Sequence, residues 1–146
     1  MQDKIAKLRN LKLLFVEDEE DLTSIISDTL KKLGANFLIA KNGKEGLALF
    51  QENPDIDLVI TDINMPIMNG IQMIEEIKKI SPVEIVIMSA HTESEYIDKS
   101  KELGVNHYLL KPFDFLKFID LVISLDTHKN DTKWQSNSWK RFIKKT

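Results

Sequence analysis

Five short apolar runs recur along the chain, and each is separated from the next by a stretch whose apolar residues fall at helical spacing. The runs lie at 11–16 (LKLLFV), 37–40 (FLIA), 58–60 (LVI), 85–88 (IVIM) and 108–110 (YLL). They are brief and almost uninterrupted, the pattern of parallel strands buried on both faces. Between the first two, Leu22, Ile25, Ile26, Leu30 and Leu33 form a helical stripe that Gly34 ends. Further helices are predicted over 44–50, closed by Asn53-Pro54, over 71–80, closed by Ser81-Pro82, and over 94–103, closed by Gly104. The last is carried by Phe115, Phe118, Ile119, Val122 and Ile123, with Asp114 placed to cap it.

Strands alternating with helices imply a parallel sheet covered on both sides. Right-handed crossovers leave few topologies, and the reading is a flavodoxin-like (βα)5 three-layer α/β sandwich with a five-stranded parallel sheet of order 2-1-3-4-5. Ligands of such sheets bind beyond the strand C-termini, where the strand order reverses, here between strands 1 and 3. The polar residues at those ends are therefore the candidate site: Glu17 and Asp18 after strand 1, Asp62 after strand 3, Ser89 after strand 4 and Lys111 after strand 5. Strands 1, 3, 4 and 5 are consecutive in space, so one crevice gathers residues as far apart in sequence as Asp18 and Lys111.

Carboxylates packed together repel and call for a cation. Mg²⁺ suits such a set, because it takes one or two carboxylates, keeps waters and binds phosphate oxygens; Mn²⁺ could stand in for it. A lysine neutralises a phosphoryl oxygen, a serine hydroxyl donates to another, and a carboxylate nucleophile yields an acyl phosphate. Singly, each residue has a plainer explanation. The acids from Glu17 to Asp21 could be a cluster favoured by a helix dipole, Asp62 a turn residue before Asn64 and Pro66, and Lys111-Pro112 a strand exit.

With these residues in view, the chain resembles the receiver domain of two-component response regulators. The matching stretches are 14–19 (LFVEDE), 59–66 (VITDINMP) with 68–70 (MNG), 87–90 (IMSA) and 108–113 (YLLKPF), within a resemblance that covers about residues 10–125. The resemblance implies that Asp62 accepts a phosphoryl group from a sensor histidine kinase or a histidine phosphotransfer protein. It implies Mg²⁺ held directly by Asp18 and Asp62, by the backbone carbonyl of Asn64, and through water by Glu17. Lys111 would pair with the phosphoryl group, and its peptide bond to Pro112 would be cis. Ser89 and Tyr108 would move together on activation and couple the site to the face formed by the fourth helix, fifth strand and fifth helix, a surface for an output partner or a homodimer. Asn64 and His91 stand at positions that tune loss of the phosphoryl group. Tyr108 also reads as a half-buried strand aromatic, and His91 as a residue flanking a loop. Glu17 stands where many relatives have Asp, and Ser89 where Thr is frequent.

A different chemistry for an acidic crevice is that of haloacid-dehalogenase-type phosphohydrolases, which turn over a phospho-aspartyl intermediate. They carry an acid two residues after the nucleophile, where this chain has Asn64, whose amide cannot exchange a proton in that way. The expectation is a switch that is no enzyme toward external substrates. A flavin-binding loop is disfavoured by the acids after strand 1, which would repel the cofactor's phosphate.

The chain has no cysteine, which excludes disulfides and thiolate chemistry. It has neither a secretory signal at 1–10 nor an apolar run long enough for a membrane, so a cytoplasmic location is expected. Charge divides the chain. Residues 127–146 hold six Lys/Arg against one acid, a net +5, while the whole chain carries −3, leaving −8 for the remainder. The organisation read from this is an N-terminal extension at 1–10, a receiver domain at 11–126 and a basic tail or linker at 127–146 containing Trp134, Trp139, Phe142 and Ile143. The tail is too short for a helix-turn-helix domain, so direct nucleic-acid binding is not expected.

Overall fold

The computed structural model describes residues 2–90 and 94–125. His91 and the basic tail fall outside the described residues. The elements follow in the order α1 Gln2–Arg9, β1 Lys12–Val16, α2 Glu20–Lys32, β2 Asn36–Ala40, α3 Gly43–Glu52, β3 Leu58–Asp62, α4 Gly70–Ile80, β4 Glu84–Ser89, α5 Ser94–Glu102, β5 His107–Leu110 and α6 Phe115–Ser124. The strands form one parallel sheet of order β2-β1-β3-β4-β5, as the sequence predicts.

Side chains alternate across a strand, so each strand feeds two cores. Leu13 and Phe15 of β1, Leu58 and Ile60 of β3, and Val86 and Met88 of β4 pack with Ile26 and Leu30 of α2 and with Phe118, Ile119 and Val122 of α6. Leu14, Val16, Val59, Ile85 and Ile87 pack on the other side with Phe50 of α3 and with Ile71, Met73, Ile74 and Ile77 of α4. Helix ends are set by local chemistry. Asn69 and Gln72 form a reciprocal capping box at α4, and the Asp114 side chain accepts the Lys117 amide at 2.9 Å, the cap expected from the sequence. Gly34, at φ +73°, supplies the left-handed turn that closes α2.

The helix α1 is not foreseen in the sequence. It shifts the numbering by one, so the face formed by the sequence's fourth helix, fifth strand and fifth helix is α5-β5-α6. Leu8 anchors it at 0% exposure, and a buried leucine is worth roughly 1.5–3 kcal/mol. The exposed Lys4–Asp120 ion pair to α6, at 2.8 Å, adds at most about 1 kcal/mol. Hydrophobic burial, then, holds α1 to the body.

Candidate functional site

Alternation decides which groups meet at the C-terminal edge of the sheet. Glu17 continues the parity of Leu13 and Phe15, Asp62 that of Leu58 and Ile60, and Lys111 that of Leu109, so all three turn toward the α2/α6 side. Their contacts agree. The Lys111 ammonium donates to Glu17 Oε1 at 2.5 Å and to Asp62 Oδ2 at 3.1 Å. Asp62 is 8% exposed, and its Oδ1 accepts the Ile63 amide at 2.8 Å. Glu17 is 1% exposed, and its Oε2 accepts the amides of Asp18 and Glu19. The acidic run thus divides by role. Glu17 and Asp18 belong to the crevice, Glu19 occupies the N-cap position of α2, and Glu20 and Asp21 fill its first turn, where the helix dipole favours them.

Glu17, Asp18 and Asp62 each offer a carboxylate oxygen, and these oxygens lie within 4.8 Å of one another. In an octahedral Mg²⁺ shell, neighbouring ligand oxygens are about 3 Å apart and opposite ones about 4 Å, so small side-chain adjustments suffice. Charge supports the same fit, because three carboxylates face one ammonium. Burial pushes the Glu17 carboxyl from 4.5 up to about 7; the Lys111 hydrogen bond opposes that rise and the Asp62 charge adds to it. Burial works to lower the Lys111 ammonium, but its hydrogen bonds to Glu17 and Asp62 and their charges outweigh burial and hold it above its usual range. The residues present therefore suit a divalent cation.

The loop after β3 is pinned close to the site. Gly70 donates its amide to Ile63 O at 2.8 Å, and a Cβ on Gly70 would fall 2.1 Å from the Asp62 carbonyl oxygen, so only glycine fits. Gly43 ties the same loop to α3 through Met68 O at 2.8 Å. Between these anchors Ile67 holds φ +72°, a strained value for a β-branched residue, with its side chain 76% exposed. Asn64 is exposed near the start of this loop, two residues beyond Asp62.

Ser89 and Tyr108 take the opposite parity and belong to the α4/α5 side. Ser89 is 5% exposed, and its carbonyl accepts the Lys111 amide at 2.8 Å, which joins the β4 end to the β5 end. The Lys111–Pro112 peptide bond is cis, as the resemblance implies. The Tyr108 hydroxyl donates to Val105 O at 2.8 Å and lies 2.7 Å from the fully buried Ser100 Oγ, itself 2.7 Å from Ile97 O. Two hydroxyl protons serve three contacts, so the network has alternative proton arrangements. The sequence reading misses Ser100. A serine inside an amphipathic helix gives no signal until the strand aromatic it meets is placed in space.

Residues 13–123 match the response regulator receiver domain, and the chain belongs to that family, the phosphorelay receivers of two-component signalling. It is 34% identical over 107 residues to the chemotaxis protein CheY homolog of Campylobacter jejuni, covering 70% of this chain and 82% of that protein. Among solved structures it is similar to a CheX–CheY–BeF3–Mg²⁺ complex from Borrelia burgdorferi, with TM-score 0.70 and 25% identity over 78% of this chain and 87% of that one. It is also similar to the complex of the Saccharomyces cerevisiae histidine phosphotransfer protein Ypd1 with the receiver domain of Ssk1, with TM-score 0.67 and 26% identity, covering 74% and 83% of the two chains. Receivers of the CheY type are signalling proteins. No helix among the described residues is long and apolar enough to cross a membrane.

Proposed function

We propose that Asp62 is the phosphoacceptor of this receiver. The observation that carries the reading is the cluster of Glu17, Asp18 and Asp62 oxygens within 4.8 Å, bridged by Lys111. Asp18 and Asp62 would hold Mg²⁺ or Mn²⁺ directly, with the Asn64 carbonyl and, through water, Glu17. When bound, the ion neutralises charge on phosphoryl oxygens.

A carboxylate oxygen of Asp62 attacks the phosphorus of a phosphohistidine. The P–N bond breaks, the imidazole leaves with its electron pair and an acyl phosphate forms. The Ile63 amide orients the carboxylate through Oδ1. The Lys111 ammonium, already on Oδ2, moves its hydrogen bond to a phosphoryl oxygen. The Ser89 hydroxyl turns to donate to another. Repositioning of Ser89 and Tyr108 then changes the α5-β5-α6 face, which alters affinity for an output partner or a second copy. His91 and Asn64 tune how long the phosphoryl group stays. The donor is a histidine kinase or a histidine phosphotransfer protein, in keeping with the Ypd1–Ssk1 complex among the similar structures. Asn64 in place of an acid disfavours a turnover phosphohydrolase.

Incubation with acetyl phosphate and Mg²⁺ tests this by intact-mass spectrometry. One added phosphoryl group is expected, absent with EDTA and in Asp62→Asn. Incorporation that survives Asp62→Asn would remove the assignment.

A further inference from the structure

Tyr108 is anchored away from the acidic site. In the sheet register Tyr108 faces Ile87, while Leu110 faces Ser89, so Tyr108 stands two residues back from the C-terminal edge where Ser89 lies. Its hydroxyl reaches toward the opposite edge, to Val105 O at 2.8 Å and to Ser100 Oγ at 2.7 Å.

The notch that takes the hydroxyl is fixed by the end of α5. The Ser100 carbonyl accepts the amides of Leu103 and Val105 at 3.1 and 3.0 Å, and the Gly104 amide donates to Lys101 O at 3.0 Å. Gly104, at φ +88°, is the left-handed residue that closes a helix in this way. Backbone bonds thereby hold Ser100 and Val105 together, and Tyr108 is the part free to leave. Ser100 is fully buried, so the contact is shielded from bulk water. Two hydroxyl oxygens 2.7 Å apart need a proton between them. Tyr108 gives its own to Val105 O, so Ser100 supplies it. Ser100 can spare that proton from Ile97 O, because a carbonyl inside an α-helix already takes the amide four residues on.

We propose that Ser100 is a positioning residue for the switch: its hydroxyl latches Tyr108 in the unphosphorylated orientation, and the bond breaks before Tyr108 follows Ser89. The latch rests on the reading of Asp62 as phosphoacceptor; the hydrogen bond does not. Among the described residues the Ser100 side chain bonds to Ile97 and Tyr108, across the sheet from the Lys111 ammonium, so it acts through Tyr108. By making the activated arrangement rarer, the latch weakens apparent binding of a phosphoryl mimic by the same factor. One neutral hydrogen bond corresponds to about fivefold.

Beryllofluoride with Mg²⁺ mimics an aspartyl phosphate, and fluorine NMR of the bound fluoride reads its half-saturating concentration. Ser100→Ala should bind it about fivefold more tightly than the unmodified chain. Alanine suits a helix interior better than serine, so the variant is expected to fold. In a Tyr108→Phe background, Ser100→Ala should change nothing, because the latched hydroxyl is already gone. Equal half-saturation of Ser100→Ala and the unmodified chain overturns the latch. So does a gain that persists in the Tyr108→Phe background, which would mark a packing effect. Urea unfolding of the same four proteins without metal is independent of the chemistry at Asp62. It should show the pair coupled by about fivefold in the unfolding constant, and additivity would remove the bond. If the unmodified chain binds no beryllofluoride while that coupling is present, the phosphoacceptor reading fails and takes the latch with it, but the bond stands.

Discussion

The two faces of the sheet carry different kinds of chemistry to the same edge. On the α2/α6 side, Glu17, Asp62 and Lys111 form a cluster with two buried carboxylates, in which burial raises the Glu17 carboxyl and both carboxylates hold the Lys111 ammonium up. On the α4/α5 side, Ser89, Tyr108 and Ser100 are neutral hydroxyls, and Tyr108 and Ser100 share short hydrogen bonds. Charges held in a low-dielectric site are costly to rearrange, while neutral hydrogen bonds net about 1 kcal/mol and re-form readily. On the proposed function, one face would hold a charged group and the other would move in response. The Lys111 amide on the Ser89 carbonyl joins them.

The largest effect should come from the point where the backbone itself leaves no room. Gly70→Ala drives a Cβ into the Asp62 carbonyl, so denaturant unfolding should show a loss of about 3 kcal/mol, and phosphoryl uptake should fall with it. Lys111→Met attacks the charged face. It leaves Glu17 and Asp62 facing each other, and metal-free protein at pH 8 should lose about 2 kcal/mol, while calorimetry should find Mg²⁺ bound more tightly than in the unmodified protein. Unchanged Mg²⁺ affinity would detach Lys111 from the metal site.

pH separates the faces in the same way. The Glu17 carboxyl titrates near 4.5 when unfolded and at about 7 when folded, so between those values the native state holds the extra proton. Its contribution to stability is fully present below pH 4.5 and is lost as pH rises through 7. Thermal melts without metal should show that decline, and the stabilisation by Mg²⁺, which competes with the proton, should grow across the same window. The smallest effect belongs to the neutral face. Tyr108→Phe should cost about 1 kcal/mol and leave Mg²⁺ affinity unchanged, since among the described residues its hydroxyl hydrogen-bonds to Val105 and Ser100 and not to the carboxylate cluster. A shift in Mg²⁺ affinity would show that the two faces are coupled before phosphorylation.

Much of the fold was legible because the strands are buried on both faces and their apolar runs stand out. The strand ends then named Asp18, Asp62, Ser89 and Lys111 without any distance. Helix α1 was not legible, because QDKIAKLR is polar apart from Ile5, Ala6 and Leu8 and too short to show a period. The reason for Gly70 was also hidden, since the loop's return to the Asp62 carbonyl is a matter of tertiary path. The resemblance pairs Lys111 with the phosphoryl group. The structure adds that it bridges Glu17 and Asp62, a contact across 94 residues in one case and 49 in the other. For Tyr108 the sequence leaves open a moving switch or a half-buried strand aromatic, and its tie to Ser100 of α5 is not visible in either residue's sequence neighbourhood.

The most direct measurement is the location of the acyl phosphate. Borohydride reduction of the phosphorylated protein converts the modified aspartate to homoserine, and tandem mass spectrometry reads its position. The account predicts homoserine at position 62 and nowhere else; homoserine at position 18 or at any other aspartate, or the longer alcohol that a reduced glutamyl phosphate gives, would contradict it.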